Sequence, residues 1–328
     1  MFSVWRPEVF QGSLRKTGYF EGWYFKHVSR DETAACALIP GVSLPCDRRK
    51  AHAFVQFYDA RGGTSSYVRY PLSDFRADRN TFGLEIGRNR FSMNRVQLDI
   101  DQDGESIRAE LDYRTIHPWP VTWLSPGAMG WYAFVPGMEC YHGVLSFNHT
   151  IEGYCEKDGV HTDFTGGKGY IEKDWGTSMP SSWIWMQSNH FDEPEASFFG
   201  SIAKIPWFGR YFTGYLFGFY FRGEVHRFTT YTGAGIRHLK VDEDLITLEV
   251  EDRKLRMEIS GKREEGACLK TPRAGGMTGR INETLNSSIS LRLSGKRGGE
   301  TLYSGVGRRA GLEYAGDVRE LISELAPP

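Results

Sequence analysis

The chain has 328 residues, of which 14% are aromatic and 38 are glycine, and its formal net charge is -1. This balance has no basic surplus, so charge alone favours neither nucleic acid nor an anionic membrane as a partner. Five dispersed cysteines without C-x-x-C spacing favour reduced thiols, and no apolar run approaches the roughly 20 residues of a membrane-spanning helix. We expect a cytoplasmic protein without a signal peptide.

Period-two alternation, cut by frequent turn signals, predicts strands along nearly the whole chain. The first group of predicted strands precedes residue 115: Tyr19–His27, Ala34–Ile39, Ala51–Tyr58, Ser65–Pro71, Phe82–Ile86, Phe91–Asn94, Val96–Asp101 and Ser106–Tyr113. Residues 115–136 contain four prolines and three tryptophans, which predicts a crossover loop packed over the mouth of a barrel.

The second group of predicted strands follows this crossover: Tyr141–Ile151, Tyr154–Lys157, Gly169–Trp175, Trp183–Phe191, Ser197–Ile205, Tyr211–Arg222, Glu224–Tyr231, Gly235–Val241, Leu245–Glu251, Lys254–Gly261, Glu283–Leu293 and Glu300–Gly307. The dipeptides Asp103-Gly104, Asp158-Gly159 and Arg222-Gly223 predict hairpin turns. Helical periodicity is convincing only at the C-terminus, where Asp317 can cap a helix over residues 317–325.

About twenty strands in one chain indicate an all-β fold with two barrel- or sandwich-like halves. We expect the N-terminal half to cover residues 1–165 and to include the crossover at 115–136. The C-terminal half would cover residues 166–328 and end in the short helix at 317–325.

One predicted strand carries two carboxylates on a single face. Alternation puts Tyr170, Glu172 and Asp174 together, with Lys173 on the opposite face. Neighbouring carboxylates suppress each other's ionisation, so one could keep its proton inside an apolar barrel and act as a general acid. The alternative is a solvated outer face on which both stay ionised.

A mixed aromatic and polar face follows shortly after. Trp183, Trp185, Gln187 and Asn189 alternate, which gives two π surfaces and then two amides. This composition suits a large, flat or hydrocarbon-rich ligand that sparse hydrogen bonds orient. The alternative is a core face with a polar edge.

Two N-terminal strands repeat this composition. Glu21 shares a side with Trp23 and Phe25, and Gln56 shares one with Phe54. A glutamate between aromatic side chains is usually either paired with an arginine or functional.

The common phosphate, dinucleotide, nucleophile and zinc-protease motifs are missing from the sequence. His142 and His149 lie seven residues apart on one predicted strand and would face opposite sides. We therefore predict neither a metal site nor a cofactor.

Several motifs in one order resemble the tocopherol cyclase family, which is related to lipocalin-like carotenoid hydratases. The segments are Phe20–Phe25, Met129–Tyr132, Ser146–His149 and Gly169–Gly176, the last leading into Trp183–Asn189. The resemblance implies two lipocalin-like β halves with a hydrophobic site. It also implies cofactor-free catalysis, in which protonation of a prenyl double bond lets a phenol oxygen close a chromanol ring.

The resemblance also suggests roles for individual residues. We expect Glu172, Asp174 and Glu21 to be the catalytic groups. The expected substrate-binding residues are Trp23, Tyr24, Gln56, Trp131, His142, Asn148, His149, Trp175, Trp183, Trp185, Gln187 and Asn189. Tryptophan faces would stabilise a carbocation, and amides would orient the quinol head.

Asp174 departs from the family pattern, in which asparagine is usual. A second ionisable group could raise the pKa of Glu172 or could signal a different substrate. Two functions therefore stay open: an acid-catalysed cyclase acting on a prenylated quinol-type lipid, and a non-catalytic carrier of a hydrophobic isoprenoid or aromatic lipid. The sequence leaves open the oligomeric state and whether the protein touches a membrane surface to collect its ligand.

Overall fold

The computed structural model describes residues 3–323 of the chain. This part consists of two antiparallel sheets, one short α-helix at the C-terminal end and a few 3-10 turns. The predicted class, all-β with two lipocalin-like halves and a short C-terminal helix, is confirmed. Among the described residues, no helix has the length and apolarity that crossing a membrane would require.

The first sheet is built from the strands that precede residue 177. They are β1 (Tyr19–Val28), β2 (Ala35–Leu44), β3 (His52–Asp59), β4 (Thr64–Tyr70), β5 (Phe75–Ala77), β6 (Gly83–Ile86), β7 (Asn89–Ser92), β8 (Arg95–Gln102), β9 (Glu105–Arg114), β10 (Cys140–Lys157), β11 (Val160–Asp163) and β12 (Lys168–Gly176). Their order is β4-β3-β2-β1-β12-β10-β9-β8-β7-β6-β5, with β11 paired to β10. Most neighbouring strands in the sheet are also consecutive in the sequence and form hairpins, but β12 lies between β1 and β10.

The inner face of this sheet surrounds a single hydrophobic core. Trp23 and Phe25 of β1 and Ile171 of β12 are fully buried there, together with side chains from the strands at both ends of the sheet. Because strands far apart in the sheet share one core, the sheet must curl around it.

The second sheet contains the later strands. They are β13 (Trp183–Ser188), β14 (Ala196–Trp207), β15 (Arg210–Phe221), β16 (Glu224–Thr229), β17 (Gly235–Asp242), β18 (Leu245–Glu251), β19 (Leu255–Lys262), β20 (Ala267–Arg273), β21 (Gly276–Gly295) and β22 (Thr301–Ala315). Their order is β16-β15-β14-β13-β22-β21-β19-β18-β17, with β20 paired to β21.

The helical elements of the described residues are short. The 3-10 turns are Ser3–Trp5, Arg48–Lys50, Leu72–Asp74 and Gly130–Phe134. The α-helix α1 covers Arg319–Ser323, and its Leu321 is fully buried in the core of the second sheet. Asp317 accepts a hydrogen bond from the backbone N–H of Arg319 at 3.1 Å, as a cap should. The predicted helix beyond residue 323 lies outside the described residues.

Several strands differ from the predicted ones. The strands β5, β11 and β20 were not predicted, because the first two are very short and the third contains Pro272. The two strands predicted around Gly153 form one continuous strand, β10. The strand β13 ends at Ser188, so Asn189 lies just past it.

The chain divides into two units by its internal contacts. The first unit contains residues 1–179 and Cys268–Arg280, and the second contains residues 180–267 and 281–328. This division differs from the expected boundary near residue 165, because β12 pairs with β1 and β10 of the first sheet. The inserted segment is bonded into the first unit: the backbone N–H of Lys270 donates to Oε1 of Gln56 at 2.9 Å.

Candidate functional site

The position of β12 determines which side chains surround its two carboxylates. In the registers with β1 and β10, Glu172 lies opposite Tyr24 and Val144, while Asp174 lies opposite Gly22 and His142. Directly opposed residues on paired strands point to the same face. This face is the one turned away from the core of the first sheet, since Ile171 points into that core.

Glu172, Asp174 and His142 form a compact cluster on this face. Nδ1 of His142 lies 2.8 Å from Oδ1 of Asp174, and Nε2 lies 3.6 Å from Oε2 of Glu172. The hydroxyl of Tyr170 donates to the same Oε2 at 2.5 Å. The thiol of Cys140 lies 3.8 Å from Oδ1 of Asp174. The predicted catalytic pair is thus joined by a histidine that bridges the two carboxylates.

The cluster is largely withdrawn from water. The side chains of Glu172, His142 and Asp174 are 7%, 13% and 23% exposed. Burial alone would lower the pKa of His142, but Asp174 and Glu172 outweigh it and raise this pKa to about 8. Burial and the neighbouring Glu172 raise the pKa of the Tyr170 hydroxyl. An imidazolium between two carboxylates is therefore the expected state at neutral pH.

The same three side chains have donor atoms within 4.8 Å of one another, a spacing at which a cation could be held. With its pKa raised to about 8, His142 would have to release a proton before it could bind a metal there. The arrangement can hold a proton between His142 and the two carboxylates, or a cation once that proton has left.

Lys173 points to the opposite face of β12, into the core side of the sheet. Its Nζ lies 2.5 Å from Oε1 of Glu21, and both side chains are fully buried. Nζ also donates to the carbonyl oxygens of Pro7, at 2.8 Å, and Val9. Burial lowers the pKa of Lys173, while the Glu21 carboxylate opposes this change.

Glu21 has further partners that fix it in place. Its carboxylate accepts from the backbone N–H groups of Gln11 at 2.8 Å and Gly12 at 2.9 Å, and from the hydroxyl of Tyr19 at 2.5 Å. A carboxylate with these donors and a lysine partner anchors the N-terminal segment to β1. Glu21 thus lies apart from the cluster, although the sequence suggested a catalytic role for it.

Two tryptophans expected to contact substrate surround the same lysine. Nζ of Lys173 lies 4.6 Å from the ring centroid of Trp23 and 4.7 Å from that of Trp175. Trp23 also stacks on Phe82 in the core, with centroids 5.7 Å apart. These ring faces already contact a cation of the protein itself, so they do not face the cluster.

The other expected contacts of the first unit are dispersed. Tyr24 is buried directly beside Glu172. His149 faces the core side, where its ring lies 4.4 Å from that of Tyr113, and burial lowers its pKa well below the usual value. Trp131 is 45% exposed. Asn148 is buried on β10, and Gln56 binds the backbone of residue 270, as described above.

The remaining four predicted residues belong to the second unit. Nε1 of Trp183 donates to Oε1 of Glu313 at 2.8 Å, and the ring of Trp185 covers Gly311 so closely that a Cβ there would lie 2.5 Å from it. Gln187 and Asn189 are buried, and Oδ1 of Asn189 lies 2.9 Å from Nδ1 of His190. Their face is opposite to Ile184 and Met186, which lie in the core.

Sequence reasoning missed two features of the cluster. Tyr170 was placed on the correct face but was given no role, and His142 was expected to bind substrate, not to bridge the carboxylates. The alternation of Tyr170 with Glu172 was a usable signal. The pairing of His142 with Asp174 depends on a register between distant strands, which a single sequence does not reveal.

Comparison with known proteins finds relatives in sequence and in fold. A probable chloroplastic tocopherol cyclase of Oryza sativa subsp. japonica is 25% identical over 228 residues, which cover 65% of this chain. The chain matches only 47% of the length of that relative. The crystal structure of CghA aligns with a TM-score of 0.57 at 12% identity, over 91% of this chain and 89% of that one.

A second solved structure agrees on the fold. A protein assigned as AttH from Nitrosomonas europaea aligns with a TM-score of 0.54 at 11% identity, over 90% of this chain and 92% of that one. The sequence model of the family described as "Tocopherol cyclase-like" matches residues 89–316. This range contains the cluster but not the resemblance at Phe20–Phe25. The chain belongs to the tocopherol cyclase-like family.

Proposed function

We propose that this protein is an enzyme that cyclises a prenylated quinol-type lipid to a chromanol by acid catalysis, without a cofactor. The observation that carries the proposal is the buried cluster of His142, Glu172 and Asp174, with Tyr170 bonded to Glu172. His142 and Tyr170 have perturbed pKa values, and perturbed titratable groups that gather on one face are more frequent at active sites than elsewhere. The resemblance to tocopherol cyclases supplies both the class of reaction and the prenylated quinol substrate, and the cluster supplies groups that can donate the proton.

His142 is the reservoir of the proton in this mechanism. When a hydrophobic substrate displaces water, a neutral pair becomes more favourable than an ion pair. The proton on Nε2 of His142 then moves to Oε2 of Glu172, 3.6 Å away. Asp174 keeps its hydrogen bond to Nδ1 and orients the imidazole during this transfer.

Glu172 is the acid that protonates the prenyl double bond. The hydrogen bond from Tyr170 stabilises the carboxylate that remains after the transfer. The proton adds to the less substituted alkene carbon and leaves a tertiary cation. The ring of Tyr24, beside Glu172, can stabilise this cation by up to about 2 kcal/mol in a dry site.

Ring closure restores the starting state of the enzyme. The phenol oxygen of the substrate attacks the tertiary cation and forms the C–O bond. Its proton returns to the Glu172 carboxylate and from there to His142, so substrate and product have the same mass. The substrate-binding roles expected for Trp183, Trp185, Gln187 and Asn189, which belong to the second unit, stay predictions.

The test is incubation with prenyl benzoquinols of several chain lengths, with chromanol formation followed by chromatography and mass spectrometry. Wild type should convert at least one of them, and Glu172→Gln should be at least about 100-fold slower, as expected for loss of a general acid. Glu110→Gln is the matched control, because the Glu110 side chain is exposed on β9, where it forms a surface ion pair with Arg95.

The outcomes separate the enzyme from the carrier. Saturable binding of the quinols without turnover would support a carrier of hydrophobic lipids and refute the cyclase. Full turnover by Glu172→Gln would refute the assigned acid. Retained binding by Glu172→Gln, measured by quenching of tryptophan fluorescence, distinguishes lost chemistry from a lost fold.

A further inference from the structure

A tight turn in the crossover loop presents two large apolar side chains to solvent. Thr122 and Ser125 form an isolated bridge, with backbone N–H to carbonyl distances of 3.0 and 3.2 Å in the two directions. Trp123 and Leu124 are the two residues at the tip, and each is 75% exposed. Side chains of this size are normally withdrawn from water, so their exposure calls for an explanation.

The tip continues into a larger apolar patch of the first unit. The ring of Trp5 stacks on Trp123 with centroids 5.5 Å apart and meets Phe134 edge-on at 5.4 Å. Phe134 and Trp131 are three residues apart on the 3-10 turn Gly130–Phe134, which puts them on one side of it, and both are 45% exposed. Val121 adds a further exposed side chain. We call the five exposed residues, Val121, Trp123, Leu124, Trp131 and Phe134, the Trp123 patch.

The turn is held in this exposed position. Nε1 of Trp5 donates to the backbone oxygen of Trp123 at 3.1 Å, and the bridge closes the turn from both sides. At the start of the loop, Trp119 is buried against Phe147 with centroids 5.6 Å apart. The loop is thus anchored at its base, and its apolar tip points outward.

The loop that carries the patch is also free of formal charge. From Ile116 to Met138 the sequence contains no aspartate, glutamate, lysine or arginine. Charged side chains are costly in the apolar part of a bilayer, whereas tryptophan and tyrosine concentrate at its interface with water. Protein interfaces, by contrast, usually carry a polar rim.

The size of the patch also argues against a stable protein partner. Its five exposed side chains present on the order of 500 Å² of apolar surface, if each aromatic side chain contributes about 150–250 Å² when fully exposed. A stable protein interface needs about 800 Å² from each partner. The tip is convex, so a protein would also need a matching groove.

We propose that the Trp123 patch docks the protein on the surface of a lipid bilayer, with Trp123 and Leu124 inserted at the interface. The attraction is apolar and does not depend on anionic lipids. This inference stands apart from the proposed reaction, because it concerns where the protein binds and not what it converts.

The experiment is co-sedimentation of the full chain with zwitterionic phosphatidylcholine vesicles. Wild type should sediment with the vesicles to the same extent at about 0.1 M and about 1 M salt, because screening acts only on charged contacts. The variant W123S/L124S should partition at least ten-fold more weakly. F208S is the matched control, since Phe208 is 89% exposed in the second unit and lies outside the patch.

Several outcomes would overturn the proposal. The proposal fails if wild type stays in the supernatant, or if F208S loses binding as strongly as W123S/L124S. It also fails if analytical ultracentrifugation shows a dimer that depends on Trp123 and does not bind vesicles. Thermal melting should give the same midpoint for all three proteins, since the changed residues are exposed. Turnover of a detergent-dispersed quinol by W123S/L124S tests the proposed function separately.

Discussion

The bridging position of His142 makes a quantitative prediction about stability and pH. Its pKa in the folded protein is about 8, against an ordinary value of 6.5 for an unfolded chain. A group whose pKa is raised by folding stabilises the fold fully below its unfolded pKa, and this stabilisation is lost as the pH rises through the folded pKa. The difference corresponds to about 2 kcal/mol. His142 should therefore contribute about this much at pH 6 and almost nothing at pH 9.

The assay is urea unfolding of wild type and His142→Gln at pH 6 and pH 9. Glutamine can still donate to Asp174 but cannot become charged. The gap in unfolding free energy between the two proteins should shrink by about 2 kcal/mol between pH 6 and pH 9. His27 and His149 have lowered pKa values, so their titration also reduces stability near pH 6, but both proteins contain these histidines and the effect cancels in the gap. A gap that does not change with pH would refute the assigned charge state.

Three further predictions concern the rest of the site. Tyr170→Phe should remove the hydrogen bond to Glu172 and cost about 1–3 kcal/mol of unfolding free energy. It should also shift the acidic limb of the pH–rate profile, and an unchanged profile would argue that Tyr170 does not influence the titration of the catalytic acid. Lys173→Met should destabilise the fold by about 3–5 kcal/mol, because it leaves Glu21 buried without its cation, and adding Glu21→Gln should recover part of that loss. If Glu21→Gln instead abolishes turnover without destabilising the protein, Glu21 is catalytic after all. Dialysis against EDTA should leave turnover unchanged, and elemental analysis should find far less than one metal ion per chain; a stoichiometric metal would contradict the assignment of the cluster as a proton site.

Local rules predicted much of the backbone. In each of the three dipeptides predicted as hairpin turns, both residues have positive φ, for example 57° at Asp103 and 81° at Gly104. Each dipeptide joins two antiparallel strands, so these predictions are confirmed. Such turns depend only on neighbouring residues, and glycine adopts positive φ without strain.

The part of the site that could be predicted also depends on a local rule, the alternation of side chains along a strand. Tyr170, Glu172 and Asp174 were placed on one face by alternation, because side chains on a strand alternate regardless of its partners. The third member, His142, comes from β10, which is separated from β12 along the chain and is irregular in its register with it. Non-local pairing of this kind is not encoded in any short window of sequence.

Composition alone did not reveal the partner of Glu21. Glu21 beside Trp23 resembled a catalytic acid among aromatic rings, yet the partner that explains it, Lys173, lies on a strand that no local rule places next to β1. From the sequence we expected that any partner of Glu21 would be an arginine. Its partner is instead Lys173, which lies between Glu172 and Asp174 in the sequence.

The inserted segment Cys268–Arg280 has a consequence for how the protein is made. It supplies a backbone carbonyl to the hydroxyl of Ser43 at 2.8 Å and another to that of Ser65 at 2.7 Å, besides its bond to Gln56. Domains that are continuous in sequence can fold in order as they leave the ribosome. The first unit cannot be completed in that way, because part of it is synthesised after most of the second unit. A nascent chain that stops at residue 179 would carry β1, β10 and β12 but would lack these three bonds, so the first unit becomes whole only after the ribosome has passed residue 280.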